Sequence, residues 1–158
     1  MIGYDGYRRI RGSKISLLVE RHGRPIACVI VPANVHDATA YHHTLAACRI
    51  SRPRGRPITR PGEILADAAY DTQAIRRTNR RRGIRTMIPV NRRKRKKSKQ
   101  GRPYRFDHEQ YATRTVVERC FSWLKAFRKL VPRYERLEQS FRGLVIVACT
   151  MIVWRVLG

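Results

Sequence analysis

Between residues 111 and 125 the chain reads YATRTVVERCFSWLK, and its polar residues recur at helical spacing. Tyr111, Arg114, Glu118 and Lys125 are separated by three, four and seven positions. At about 100° per residue, a helix gathers all four within roughly 60° of arc. Val116, Cys120, Trp123, Leu124 and Phe127 fall on the opposite side, so the spacing predicts a helix with one face in the core. The polar face then carries an arginine, a carboxylate and a lysine in line. Arginine grips a phosphate with two parallel bonds, and lysine meets it as a point charge. The same spacing also suits a plain surface ion pair, Arg114 with Glu118 at i and i+4. Periodicity alone leaves both readings open. A further carboxylate, Asp67, closes the short apolar run Ile64–Ala66, where Asp is also a common turn residue.

The elements that position these groups follow from the rest of the chain. Lys14–Glu20 (KISLLVE) and Pro25–Pro32 (PIACVIVP) are β-rich runs around the turn signal at Arg21–Arg24, and they predict an antiparallel hairpin. Asp37 suits the N-cap of a helix reaching about Cys48. Residues 51–62 (SRPRGRPITRPG) are broken by Pro and Gly and read as a loop. After a strand at Ile64–Ala66, Asp71 suits the cap of a helix to about Arg82, closed by Gly83. Thr86–Val90 is a further short strand. Asp107 is placed to start one long helix to about Leu130, with Pro132 marking its end, and an apolar helix covers about Ser140 to Leu157. This order predicts one α/β domain over residues 1–158, with a mixed sheet and flanking helices.

The charge balance narrows the partners. The chain carries 35 Lys and Arg against 11 Asp and Glu, a formal net charge of +24. Self-repulsion on that scale points to a polyanion, so nucleic acid is the expected partner. The basic loop 91–104 is the densest part, with Arg92, Arg93, Lys94, Arg95, Lys96 and Lys97 in succession. It reads as a solvated tether that tracks phosphates once DNA is bound. The four cysteines form no C-x-x-C pair and the five histidines no H-E-x-x-H, which argues against a zinc module. The longest apolar stretch, Leu144–Trp154, is 11 residues, short of the roughly 20 of a membrane span, so a buried helix and no membrane partner are expected. Unpaired cysteines suit a reducing, cytoplasmic setting.

The spacing Tyr111-x2-Arg114-x3-Glu118-x6-Lys125 resembles the signature of DDE transposases of the insertion-sequence four and five type. The flanking words agree: ERCFSWLKAFRKLVPRYER at 118–136 looks like that family's ER-F-WLK-FR-L--RY pattern. GEILADAAYD at 62–71 is similar to its second-carboxylate motif, and GYDGYRRIRGSKISLLVERHGRPIACVIVPANVHDA at 3–38 resembles its N-terminal stretch. The resemblance covers nearly the whole chain. It implies an RNase H-like fold and metal-dependent DNA cleavage at transposon ends, followed by strand transfer to target DNA. Asp67 and Glu118 are the implied catalytic, metal-binding carboxylates for Mg²⁺ or Mn²⁺, and Tyr111, Arg114 and Lys125 the implied phosphate contacts.

One part of the pattern is displaced. The family's first carboxylate sits on a strand before the Gly-Tyr-Asp word, and here only Met1 and Ile2 precede Gly3. The first strand and its aspartate are therefore expected upstream of Met1, through a truncated or split gene. Asp5 matches the Asp of the Gly-Tyr-Asp word, not the catalytic one. The chain alone is then expected to be inactive, with an upstream transposase polypeptide and a homo-oligomer on nucleoid DNA as its partners. The competing readings are a non-catalytic basic nucleic-acid-binding protein and an RNase H-like nuclease without strand transfer.

Overall fold

The computed structural model describes residues 2–91, 104 and 106–157. The basic run Arg92–Lys97 and most of the 91–104 loop lie outside the described residues.

The N-terminal region forms strands β1 (Gly3–Asp5), β2 (Ile10–Val19) and β3 (Pro25–Pro32) of one antiparallel sheet, with β2 central. β3 pairs with β2 along Ser13–Val19, whereas β1 pairs only with Ile10–Gly12. The expected hairpin is present, and Gly3–Asp5 adds a strand that composition did not suggest. Asp5 turns the chain out of β1: its Oδ1 accepts the N–H groups of Tyr7 and Arg8 at 3.0 and 3.1 Å. Helix α1 (Asp37–Ala46) follows, then β4 (Glu63–Leu65), a 3₁₀ turn (Ala68–Tyr70), α2 (Gln73–Arg81) and β5 (Arg85–Met87). β4 and β5 form a separate parallel pair. The fold is α/β, and its antiparallel and parallel strands lie in two sheets with no ladder between them among the described residues.

Two caps are made by the residue next to the acid expected to make them, before it in one case and after it in the other. His36 Nδ1, not Asp37, accepts from the start of α1, at Ala38 N–H. Thr72 Oγ1, not Asp71, caps α2 at Ile75 N–H. Both aspartates are engaged elsewhere: Asp37 with Lys14 Nζ at 2.7 Å, Asp71 with Arg76 Nε at 2.7 Å. Gly83 closes α2 as expected, with φ of 64°.

The single long helix is in fact two, α3 (His108–Ala112) and α4 (Thr115–Ala126), followed by a 3₁₀ turn at Arg128–Leu130. Asp107 caps the first as expected, accepting from Gln110 N–H at 3.0 Å. Between them the backbone tightens to i→i−3 bonds, Arg114 N–H to Tyr111 O and Val117 N–H to Arg114 O. Thr113 and Thr115 turn their hydroxyls back on Gln110 O and Ala112 O at 2.8 and 3.4 Å. Such back-bonds compete with the helical ladder and bend it.

The core falls into three clusters, one of Ile30, Phe141 and Val145 and two that bear on the site. Tyr41 and Leu45 of α1 pack with Ile64, Ile75, Ile84 and Ile88 around the β4–β5 pair. Cys120 and Leu124 of α4 pack with Ala148 and Ile152 of helix α5 (Glu138–Leu157) and with Leu17 and Val19 of β2. α5 is long and apolar enough to cross a membrane, yet Phe141, Val145, Ala148 and Ile152 are buried in the protein core. The expected buried helix is buried on one face only: Val147, Met151 and Trp154 are exposed.

Candidate active site

Between the two core clusters that bear on the site lies a cleft of about 950 Å³. One wall is β2 from Lys14 to Glu20, the other β4 and the two residues after it, Glu63 through Asp67. Neither of these edges has a strand partner among the described residues, since β2 pairs beyond Gly12 only with β3 and β4 pairs only with β5. Neighbouring residues of a strand point to opposite faces. Accordingly Ser16 meets Thr44 of α1 at 2.7 Å, hydroxyl to hydroxyl, while Leu17 packs on α4. α1 thus roofs the cleft on one side. Val116, Val117 and Phe121 of α4 close it on the other.

The chain's few acids collect in this cleft. Among the described residues, seven carboxylates line it, against three Lys or Arg. In a chain of net charge +24 that bias is a local inversion of sign. Several of the acids are already engaged. Glu20 is bonded to Arg24 Nε at 2.9 Å, Asp37 to Lys14, and Glu63 to Arg85 Nε at 2.6 Å and to Gln110. Asp107 is the cap of α3, and Glu109 on the same helix is exposed.

The two implied catalytic carboxylates both face this cleft. Asp67 lies two residues past β4, and its Oδ1 caps the 3₁₀ turn through Ala69 N–H at 2.8 Å. Among the described residues no cation pairs with it. Glu118 lies in the first turn of α4 and is 60% exposed, with Arg114 Nη2 at 2.9 Å from its Oε1. Arg114 lines the cleft as well. Tyr111 and Lys125 do not. Tyr111 stacks beside Phe106, ring centroids 5.0 Å apart, with the Arg114 guanidinium 5.8 Å from its own ring, and Lys125 is exposed farther along α4. The break between α3 and α4 takes Tyr111 off the line that an unbroken helix would give it. Asp5 is not among the cleft's lining residues.

The donors offered here are oxygens: no His or Cys lines the cleft. That chemistry suits a hard cation such as Mg²⁺. The number falls short, because among the described residues no three acidic, His or Cys groups converge closely enough to hold a metal.

Sequence reasoning missed the scaffold beneath Asp67. The Asp71 carboxylate is fully buried, bonded to Arg76 Nε at 2.7 Å and accepting Asn91 N–H at 2.9 Å. Arg76 also donates to Ile88 O at 2.7 Å and lies 3.8 Å over the Tyr104 ring, and Asn91 Nδ2 reaches Ala68 O at 3.2 Å. The network ties the turn after Asp67 to α2 and to the chain beyond β5. Behind it, buried Asn79 accepts from Tyr41 O–H at 2.7 Å and donates to Thr86 at 3.1 Å. Tyr70 lines the cleft; burial, then the negative charge of Asp37 and Asp67, pushes its phenol up to about 12. It therefore stays a neutral O–H donor. The only hint of this scaffold in the sequence was the Tyr-Asp pair at 70–71.

The family described as the transposase DDE domain matches residues 2–153. A protein of Burkholderia cepacia named as the transposase of insertion sequence element IS402 is 35% identical over 147 residues, covering 92% of this chain. The chain spans 64% of that relative's length. No solved structure matches it. With the family's pattern running through all but the chain's last few residues, the chain belongs to the DDE-domain transposases.

Proposed function

We propose that this chain is the larger part of a catalytic domain that cuts DNA at the ends of a mobile element and joins the freed 3′-hydroxyl to target DNA. The observation that carries the reading is the acidic cleft, with Asp67 and Glu118 on facing elements of an otherwise basic protein. A basic binding protein without chemistry gives no reason to concentrate its carboxylates in one place. Asp67 and Glu118 would hold Mg²⁺ or Mn²⁺, which in such sites activates water and stabilises the leaving oxygen. The chain's own groups supply the rest. Asp67 is held by its turn, and Arg114, paired with Glu118, is placed to take up a phosphate that enters the cleft. Tyr111, Lys125 and the Arg92–Lys97 run would add phosphate contacts outside it.

The third carboxylate would arrive on a strand lying between β2 and β4. Among the described residues both edges are free, α1 and α4 already cover the two faces, and the open edge Lys14–Val19 offers six residues, the length of an ordinary strand. Such a strand would join the two sheets into one mixed, RNase H-like sheet and end beside Asp67. Its source would be a segment outside residues 1–158, in the same polypeptide or a partner. The assembly would work as a homo-oligomer on cytoplasmic DNA.

The test uses a duplex carrying the element's ends. The 158-residue chain alone is expected neither to cleave nor to join it in Mg²⁺ or Mn²⁺. Supplying the strand-bearing segment should restore both activities, and Asp67→Ala or Glu118→Ala should then abolish them. Nicks without joined products would indicate a nuclease instead. Cleavage that survives either substitution would overturn the metal assignment.

A further inference from the structure

A second cavity, of about 550 Å³, adjoins the cleft and has the opposite character. Arg21, His22, Arg24, Arg119 and Val156 line it, with no carboxylate among them. Arg21 lines both cavities, so the two are contiguous. Glu118 and Arg119 are neighbours on α4, about 100° apart around the helix axis. One faces the acidic cleft and the other the basic cavity.

The cavity is built by a shaped turn. Glu20 Oε1 accepts from His22 N–H at 2.9 Å, Arg24 N–H at 3.3 Å and Arg24 Nε at 2.9 Å, which orders the tip of the β2–β3 hairpin. Burial opposes the charge on Glu20, but the bonds from Arg24 and His22 outweigh it and hold its carboxyl below the usual value. Gly23 takes a φ of 99° and sits against Trp123, where a Cβ would come within 3.3 Å of the ring. Trp123 in turn has the guanidinium carbons of Arg119 and Arg155 each 5.8 Å from its ring centre. Arg24 is neutralised by Glu20, whereas Arg21 and Arg119 are exposed and have no carboxylate partner among the described residues.

We propose that this cradle binds a backbone phosphate of duplex DNA, next along the strand from the phosphate held in the acidic cleft; the proposal rests on the reading of the chain as a DNA-cutting domain. Arg21 and Arg119 would make the contacts, with His22 beside them. Two unpaired guanidiniums over a concave site fit a phosphodiester's oxygens. Trp123 is half-buried behind the arginines and presents no stacking platform, so the site takes backbone rather than an unstacked base. Such a contact sets the register of the duplex without reading sequence.

The test is anisotropy of a short fluorescein-labelled duplex with the full chain across a KCl series. Each lost phosphate contact flattens the slope of log K against log salt by about 0.9, so Arg21→Ser with Arg119→Ser, which removes the grip on one phosphate, should flatten it by about one unit. Arg21→Lys with Arg119→Lys should retain most of the slope. Arg54→Ser with Arg56→Ser, in the 51–62 loop and lining neither cavity, should leave it nearly unchanged. If the serine pair does not fold, judged by far-UV circular dichroism, Arg119→Glu alone carries the test, with a loss of about one unit expected. A wild-type slope in the serine pair or in Arg119→Glu, or an equal loss in the control pair, overturns the cradle. Absence of salt-dependent duplex binding by the wild-type chain would instead overturn the DNA reading itself.

Discussion

Two arginine–carboxylate pairs flank the acidic cleft, and they differ in almost everything but their chemistry. Asp71–Arg76 lies beneath the Asp67 wall, its side chains 0% and 8% exposed, with further bonds to Asn91 and Ile88. Arg114–Glu118 lies on the helical wall, its side chains 28% and 60% exposed, and among the described residues Glu118 has only Arg114 for a partner. The buried pair is part of the scaffold: neither member can leave without stranding the other's charge. The exposed pair is exchangeable, and either member can trade its partner for solvent, a phosphate or a cation. The cleft therefore sets a fixed carboxylate just past a strand end against an adjustable one on a broken helix.

The largest expected effect comes from the buried pair. Asp71→Ala leaves Arg76 charged and unpaired in the core, a change that typically costs about 3–5 kcal/mol. Urea denaturation should show a fall of that order, enough to threaten folding of a marginal domain. A loss below about 1 kcal/mol, the range of surface pairs, would show that the network does not carry the Asp67 wall.

Next in size is Asn79→Ala, behind the same wall. It strands the Tyr41 hydroxyl and opens the link between α1, α2 and β5. An unsatisfied buried polar group costs about 1–3 kcal/mol. Tyr41→Phe with Asn79→Leu, which removes both partners together, should recover part of the loss in the same assay. No recovery would mean that Asn79 acts through packing alone.

These buried pairs also mark where the sequence was readable. The β2–β3 hairpin was legible because alternation and a Gly-containing turn are local signals. The end of α2 was legible because Gly83 answers a local backbone need. The caps were misjudged by one residue at Asp37 and at Asp71 for a shared reason. Each aspartate is claimed by a basic residue farther away, Lys14 in one case and Arg76 in the other, and a neighbouring residue, His36 or Thr72, takes over the cap. No local preference reveals such a claim. The helix break escaped notice because hydrophobic spacing continues across Thr113 and Thr115, while their back-bonding hydroxyls reshape the backbone. Asp67 and Glu118 could be named from their motifs. That five more acids would join them in one cleft could not, because it depends on how α1 and α4 pack.

A smaller effect is expected at the hairpin tip. Gly23→Ala forces a side chain into the left-handed region and against Trp123. The backbone term alone is about 1–2 kcal/mol. Thermal unfolding should register it, and Gly23→Asn, which tolerates that region better, should lose less. Equal losses for the two would point to the Trp123 contact rather than to the backbone.

The smallest effect bears most directly on the comparison, because it asks whether the exposed pair really is exchangeable. A double-mutant cycle on Arg114→Ala and Glu118→Ala isolates their coupling from whatever else each side chain does. For an exposed i,i+4 pair the coupling should be about 0.3–0.5 kcal/mol by urea denaturation at low salt. At about 1 M salt the Debye length shrinks to about 3 Å, so most of that coupling should vanish. A parallel cycle on Asp71 and Arg76 should give a several-fold larger coupling that salt barely changes, since little solvent reaches the pair. A salt-resistant coupling between Arg114 and Glu118 would mean that the helical wall is as fixed as the strand wall. Glu118 would then have to break a stable bond before it could meet a cation, and Arg114 before it could meet a phosphate. A weak, screened coupling would leave both free to do so at little cost, as the exposure of Glu118 implies.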